Sequence, residues 1–260
     1  MRNAVPTPVA LVTGASAGLG RALTHRLVAQ GWHVVIDARD ARRLRRSVAG
    51  LPAASLTVIP GDVSDGWHRA ALAAAAEERG RLDLLVNNAS MLGPSPMPAL
   101  ADLPLRDLER IHAVNVLAPL GLAQLLIHLL ERSRGALVNV SSDAAVEAYA
   151  GWGGYGSTKA ALDLISGVLA EEHPRVRVHA FDPGDMATGM HQRAFPGEDV
   201  SDRPSPQSVV PALMRLVDEH RPSGRYRVAD LLAGGPGEGE GPIGPRALVQ
   251  LDDAPGPVRA

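Results

Sequence analysis

Val9-Ala10-Leu11-Val12-Thr13-Gly14-Ala15-Ser16-Ala17-Gly18-Leu19-Gly20 is the stretch that decides the fold. Four apolar residues run directly into a turn carrying three glycines. A helical pattern follows from Arg21 to Gln30, with Ala22, Leu23, Leu27 and Val28 on one face and Gly31 as its stop. In this setting Gly14, Gly18 and Gly20 permit a tight turn, close backbone approach to a phosphate and close packing of helix on sheet. The helix N-terminus then offers N–H groups to a pyrophosphate. The spacing G-x-x-x-G-x-G differs from the common dinucleotide fingerprint, and the absence of Gly-Lys-Ser/Thr excludes a P-loop. The same letters also contain Gly14-Ala15-Ser16-Ala17-Gly18, a G-x-S-x-G nucleophile elbow. A hydrolase builds part of its oxyanion hole from a loop upstream of that elbow, and only a dozen residues precede it here. Ser16 therefore reads better as a loop hydroxyl beside a cofactor phosphate, with a serine hydrolase as a lesser alternative.

The rhythm continues outward. Strands are expected at His33 to Ala38, Leu56 to Ile59, Leu82 to Val86, Ala136 to Val140 and Val176 to Phe181. Helices are expected at Asp40 to Val48, Asp65 to Arg79, Leu105 to Arg132 and Gly156 to Glu172. Apolar strands alternating with amphipathic helices predict a parallel sheet covered on both faces: a single α/β domain with a doubly wound, Rossmann-type sheet. This catalytic and dinucleotide-binding domain is read over residues 1–232. Residues 185–206 break the pattern and are expected to form an irregular substrate loop. A helix from Gln207 to Glu219 and a strand near Arg225 to Val228 close the fold. From 233 to 260 the chain is so rich in Gly and Pro that a disordered tail is expected.

Composition narrows the classes. The 260 residues are 45% hydrophobic with a net charge of -2, which gives no electrostatic footprint for nucleic acid or an anionic membrane. The longest apolar run, Val116 to Leu130, is interrupted by Pro119, Gln124 and His128, short of the roughly 18 uninterrupted residues of a membrane span. Met1-Arg2-Asn3 followed by Pro6 and Pro8 does not read as a signal peptide, and a cytoplasmic location is expected. Zero cysteines exclude disulfides and thiolate chemistry. The nine histidines show no ligand spacing, so no metal site is expected.

Among 26 basic residues there is one lysine, Lys159. It follows Tyr155 by four, which places both on one helix face a turn apart, and Ser142 ends the Asn139-Val140-Ser141-Ser142 stretch upstream. A phenol titrates near 10. A neighbouring ammonium is expected to lower that value and bring the phenol into range for acid–base work.

Taken together, Thr13-Gly14-x-x-x-Gly18-x-Gly20, Asp62-Val63, Asn87-Asn88-Ala89, Asn115, Ser142, Tyr155-x-x-x-Lys159 and Pro183-Gly184-x-x-x-Thr188 resemble the short-chain dehydrogenase/reductase family over about residues 7–230. The resemblance implies an NAD(P)-dependent oxidoreductase that interconverts an alcohol and a carbonyl of a small molecule. It implies Tyr155 as proton donor or acceptor, Ser142 hydrogen-bonded to the substrate oxygen, and Lys159 tuning Tyr155 and holding ribose hydroxyls. Asn115 would support a water-linked relay. Cofactor contacts would come from Gly14, Ser16, Gly18, Leu19, Gly20, Arg39, Asp62, Val63 and Asn88. Tyr155, Lys159, Pro183, Gly184, Met186 and Thr188 would complete them around the nicotinamide. It also implies a homodimer or homotetramer built on the helices Leu105 to Arg132 and Gly156 to Glu172. A dinucleotide-sensing protein of the same fold is the other alternative, against which the intact Ser142, Tyr155 and Lys159 set argues.

Three departures stand out: Ser90 replaces the usual glycine after Asn-Asn-Ala, Asp143 follows the serine, and Asp185 follows Pro183-Gly184. The two carboxylates read either as turn caps or as groups facing a basic or hydroxyl-rich substrate. In the register that the family resemblance implies, the position at the end of the second strand that discriminates cofactors is Ala38, followed by Arg39, with Arg42 and Arg43 close behind. NADP(H) is therefore expected over NAD(H), although Asp37 sits one residue earlier on the opposite strand face and Ala17 replaces a common basic loop residue.

Overall fold

The computed structural model describes residues 6–233. In chain order the elements are β1 (Val9–Val12), α1 (Gly18–Ala29), β2 (His33–Ala38), α2 (Ala41–Ser47), β3 (Leu56–Pro60), α3 (Gly66–Glu78), β4 (Leu84–Asn87) and α4 (Leu105–His112). There follow α5 (Ala118–Ser133), β5 (Ala136–Val140), α6 (Gly153–Glu172), β6 (Arg177–Asp182), α7 (Gly189–Ala194), α8 (Pro206–Asp218), β7 (Gly224–Arg227) and α9 (Val228–Leu232). The strands form one parallel sheet in the order β3-β2-β1-β4-β5-β6-β7. This is the doubly wound arrangement expected from the alternation, with the strand order reversing between β1 and β4. Ligands in such sheets bind outside the carboxyl ends of the strands at that reversal.

Side-chain alternation divides the core in two. Ala10, Val12, Val34, Ile36, Val86 and Val138 face α1, α2 and α8. Val9, Leu11, Val35, Leu85, Leu137 and Val178 face α3, α5 and the far end of α6. With both faces covered, β1, β2, β4 and β5 are buried along their whole length, which is why they read as continuous apolar runs.

Several boundaries differ from expectation. Helix α1 begins at Gly18, inside the glycine loop, and α6 at Gly153, so Tyr155 lies in its first turn. The long helix is interrupted by a π-helical turn at Ala113–Leu117. By length and composition the stretch Leu105–Ser133 is apolar enough to cross a membrane, but 56% of its apolar window is buried inside the protein. It is a core helix lying against the sheet. The loop expected to be irregular contains α7. The tail from 234 onward lies outside the described residues.

Of the described buried side chains with unpartnered polar atoms, His179 is the one on which both ring nitrogens lack a partner. His179, on β6 between Val138 and Gly224, is fully buried, and neither ring nitrogen has a hydrogen-bond partner among the described residues. Its ring stands edge-on to Tyr226, 5.7 Å between centroids. Burial, aided by Arg177, pulls its pKa from 6.5 down to about 3. The folded protein therefore holds His179 neutral while the unfolded chain takes up a proton below 6.5. The contribution is intact above 6.5 and is lost as pH falls toward the folded value. It amounts to about 1.4 kcal/mol per pH unit. Urea unfolding at several pH values from 6.5 down to about 4.5 should show this loss in the parent. The loss should be largely absent in His179→Leu. Equal slopes in the two proteins would show that His179 is accessible to protons in the folded state.

Candidate active site

A cavity of about 740 Å³ opens along the carboxyl edge of the sheet. At one end is the glycine loop. Thr13 Oγ1 accepts the N–H groups of Asn88 (3.0 Å) and Ala89 (2.9 Å). The Asn88 side-chain amide donates to the Thr13 and Gly14 carbonyls at 2.7 and 3.3 Å. Gly14 has φ +69°, and a Cβ there would stand 2.9 Å from the Ala89 Cα. At Gly20 a Cβ would stand 2.5 Å from the Asn88 amide nitrogen. The loop is thus pressed against the end of β4, as helix–sheet packing requires. No side chain caps α1, and its first residues, Gly18 and Leu19, line the cavity. An uncapped helix N-terminus over a glycine turn fits the pyrophosphate of a dinucleotide.

The expected cofactor residues Gly14, Ser16, Gly18, Leu19, Arg39, Asp62, Val63, Asn88, Pro183, Gly184, Met186 and Thr188 all line this cavity. Gly20 lies behind the loop as a packing glycine. Asn88 borders the space, but its amide is committed to the loop carbonyls. Ser16 has no histidine partner among the described residues: the ring contacts found there run to Ser47, Ala54, Thr57, Asp37, Leu108, Glu77, Glu131, Asp185 and Asp218. The triad logic of the elbow reading is missing.

At the end of β2, Asp37 is buried and its carboxylate is spent. One oxygen accepts the Gly14 N–H at 2.8 Å and the other meets His68 Nε2 at 3.0 Å. Gly61 makes room for that imidazole, since a Cβ there would overlap the His68 ring. Asp37 itself, Ala38, Arg39, Asp40 and Arg43, but not Arg42, form the cavity wall here. The His68 partner was invisible in the sequence, being 31 residues away with no local signal.

At the other end are Ser142, Tyr155 and Lys159. Gly156 lets α6 close on the turn after β5, where a Cβ would meet the Ala144 carbonyl at 2.6 Å. Ser142 Oγ donates to the Asp143 carboxylate at 2.8 Å and accepts the Ala144 N–H at 3.2 Å. Asp143 also caps Ala144, takes the Tyr149 hydroxyl at 3.2 Å and lines the cavity. Asp185 is exposed, 3.5 Å from His191. Trp152 stands edge-on to Tyr155, 5.9 Å between centroids.

The electrostatics differ from the simple expectation. Burial raises the Tyr155 pKa, Ser90 and Ser142 pull it back, and Asp182 and Asp143 push it up further, so the phenol remains protonated. Lys159 is fully buried. Its Nζ donates to the Val140 carbonyl at 2.7 Å and lies 5.4 Å from the centre of the Tyr155 ring. Burial draws its own pKa down to about 8, with Asp163 acting against that. In this state burial outweighs every attraction, so the phenol's pKa stands above its ordinary value.

Asn115 lies outside the cavity lining, in the π-helical turn. Its Oδ1 accepts from Met91 N (2.7 Å) and Ser90 Oγ (3.2 Å). Its Nδ2 donates to Met91 O (2.9 Å) and Thr158 Oγ1 (3.0 Å). The side chain ties the irregular segment following β4 to α6. Thr188 caps α7 and packs toward the open face of Gly18, closing the distance between the glycine loop and the substrate side. Among the described residues no cluster of His, Asp and Glu could hold a metal.

The sequence model of short chain dehydrogenases matches residues 8–199. A serine 3-dehydrogenase of Agrobacterium fabrum is 36% identical over 68% of this chain and 72% of its own length. Sepiapterin reductase of Mus musculus is 33% identical over 72% of this chain and 77% of its own. Among solved structures, a short chain dehydrogenase from Shigella flexneri complexed with NADP superposes with a TM-score of 0.80. It is 28% identical, and the match covers 88% of this chain and all of that one. One from Escherichia coli complexed with NADPH gives 0.79 at 29% identity, over 85% and 96%. The chain belongs to the short-chain dehydrogenase family and is an oxidoreductase acting on CH–OH and C=O groups.

Proposed function

We propose that the protein interconverts an alcohol and a carbonyl of a small molecule using NADP(H). The observation that carries the reading is the convergence of Ser142, Tyr155 and Lys159 on one cavity with an uncapped glycine-turn helix. When bound, the dinucleotide supplies or receives the hydride. The chain's own residues handle the proton. Tyr155, kept neutral by burial, donates its hydroxyl proton to a carbonyl oxygen as negative charge develops there, and takes it back in the reverse direction. Ser142 turns from Asp143 to hydrogen-bond the same oxygen. Lys159 holds ribose hydroxyls and supplies positive charge beneath the phenol. Tyr155→Phe should lower kcat by about a hundredfold or more, while fluorescence titration still shows dinucleotide binding. A variant turning over at the parent rate would remove Tyr155 from the reaction.

The cofactor preference rests on the end of β2. Asp37 is engaged by Gly14 and His68 and Asp40 caps the Arg43 N–H, while the Arg39 and Arg43 side chains beside them offer donors to a 2′-phosphate. The NADP and NADPH complexes of the solved relatives point the same way. kcat/KM should favour NADPH over NADH. Arg39→Ala should raise the KM for NADPH about tenfold and leave that for NADH nearly unchanged. A higher kcat/KM with NADH in the parent would reverse the assignment.

The helices around the site also leave apolar surface open. Leu117 is 58% exposed, and Leu125, Leu164 and Val168 are exposed as well. These belong to the π turn, α5 and α6, and we read them as the surface on which copies of the chain pair into a dimer or tetramer. Light scattering at micromolar concentration should return a multiple of 27.2 kDa. The monomer mass would overturn this.

A further inference from the structure

Behind the site lies a group of buried charges that the proposed chemistry does not use. Arg225, on β7, is 6% exposed. Its Nε donates to Asp163 Oδ2 at 3.1 Å. Its Nη2 donates to Asp182 Oδ2 at 3.1 Å and to the Ser142 carbonyl at 3.0 Å. Each acceptor belongs to a different part of the site. Asp163 sits on α6, one turn beyond Lys159. Asp182 ends β6, and its other oxygen accepts the Gly184 N–H at 3.0 Å, which sets the turn through Pro183. Ser142 carries the hydroxyl that faces the reacting oxygen. Replacing such buried ion clusters with apolar residues is commonly neutral or stabilising, so stability alone gives no reason for one here. Nor does β7, an edge strand of the sheet, need a charge to pair with β6.

We propose that Arg225 is a positioning residue of the reaction. Through the planar fork of its guanidinium it fixes the Ser142 backbone, the Asp182–Gly184 turn and the Lys159 helix in one mutual arrangement. The proposal rests on the reading of Ser142, Tyr155 and Lys159 given above. Lysine in its place offers one compact ammonium and cannot span the three acceptors.

Asp163 and Tyr155 on α6 act directly on Lys159; Asp143 after β5 and Asp182 on β6 act on Tyr155, and Arg225 on β7 acts on Asp163. Because the chain contains one lysine, 13C-lysine labelling gives a single side-chain signal whose titration reports Lys159 with or without turnover. Three variants separate charge from position. Asp163→Asn removes a carboxylate and should lower the Lys159 midpoint. Adding Arg225→Met to it removes one charge of each sign and should bring the midpoint back toward the parent value. If Arg225 positions the site, that double variant still shows a kcat at least about tenfold below the parent, with dinucleotide KM within about threefold. Arg225→Lys should recover part of the loss. A double variant that is folded by circular dichroism and within about twofold of the parent kcat would overturn the proposal. So would a loss explained wholly by a reduced folded fraction. If the double variant does not fold, Arg225→Lys decides: a kcat within about twofold of the parent there overturns the proposal, and any larger loss in a folded protein supports it. A parent without nicotinamide-dependent turnover would instead defeat the functional reading, leaving the Lys159 titration to test the cluster by itself.

Discussion

The architecture of the site depends on a junction between the ends of β1 and β4. Thr13 and Asn88 exchange hydrogen bonds there through side chain and backbone alike, so the first residues of the glycine turn are fastened to the strand across the topological reversal. A loop that must present bare backbone to an anion has no bulky side chains of its own to hold it. Its rigidity is therefore borrowed from a neighbour. Asp37 adds a second fastening from β2 through Gly14, and Ser47 a third from the end of α2 to the Ala15 carbonyl. Once the loop is fixed, α1 starts where it must, and the opposite wall from Pro183 to Thr188 can close toward it.

The other half of the site is governed by burial. Tyr155 and Lys159 are both nearly sealed in protein, and desolvation acts on each toward its neutral form. For the phenol this reinforces what chemistry in the reducing direction requires, a proton held ready. For the lysine it works against the charge that ribose binding and phenolate stabilisation would use. Asp163 supplies the opposing field, and Arg225 in turn moderates Asp163. The ammonium's bond to the Val140 carbonyl keeps it pointing at the end of β5.

Much of this was legible in the chain. The strand–glycine turn–helix opening, the alternation behind it and the Tyr155–Lys159 spacing are local patterns, and local patterns survive in a sequence. The starts of α1 and α6 were misplaced by three residues because glycines disguise the first turn of a helix as loop. Arg39 was legible as a phosphate-facing candidate, but Asp37's commitment was not, since its partner His68 lies on another element. Arg225 escaped for the same reason, joining residues 43, 62 and 83 positions away. The net direction of the Tyr155 shift was not legible, because the burial that dominates it comes from packing by distant elements and not from the Tyr155–Lys159 spacing.

The π-helical turn at Ala113–Leu117 has a further consequence. An α-helix advances by about 100° per residue, so one inserted residue rotates everything beyond it by roughly that angle. The turns before and after Asn115 consequently keep separate phase. The earlier segment is aligned for the loop after β4, and the later one for the sheet and for the open face that carries Leu125. A deletion of one residue inside that turn would leave hydrophobic content and helical propensity almost untouched. It would nevertheless swing one segment a quarter turn away from its contacts. Within this helix, then, chain length is itself a specified quantity, as exacting as the identity of any side chain in it.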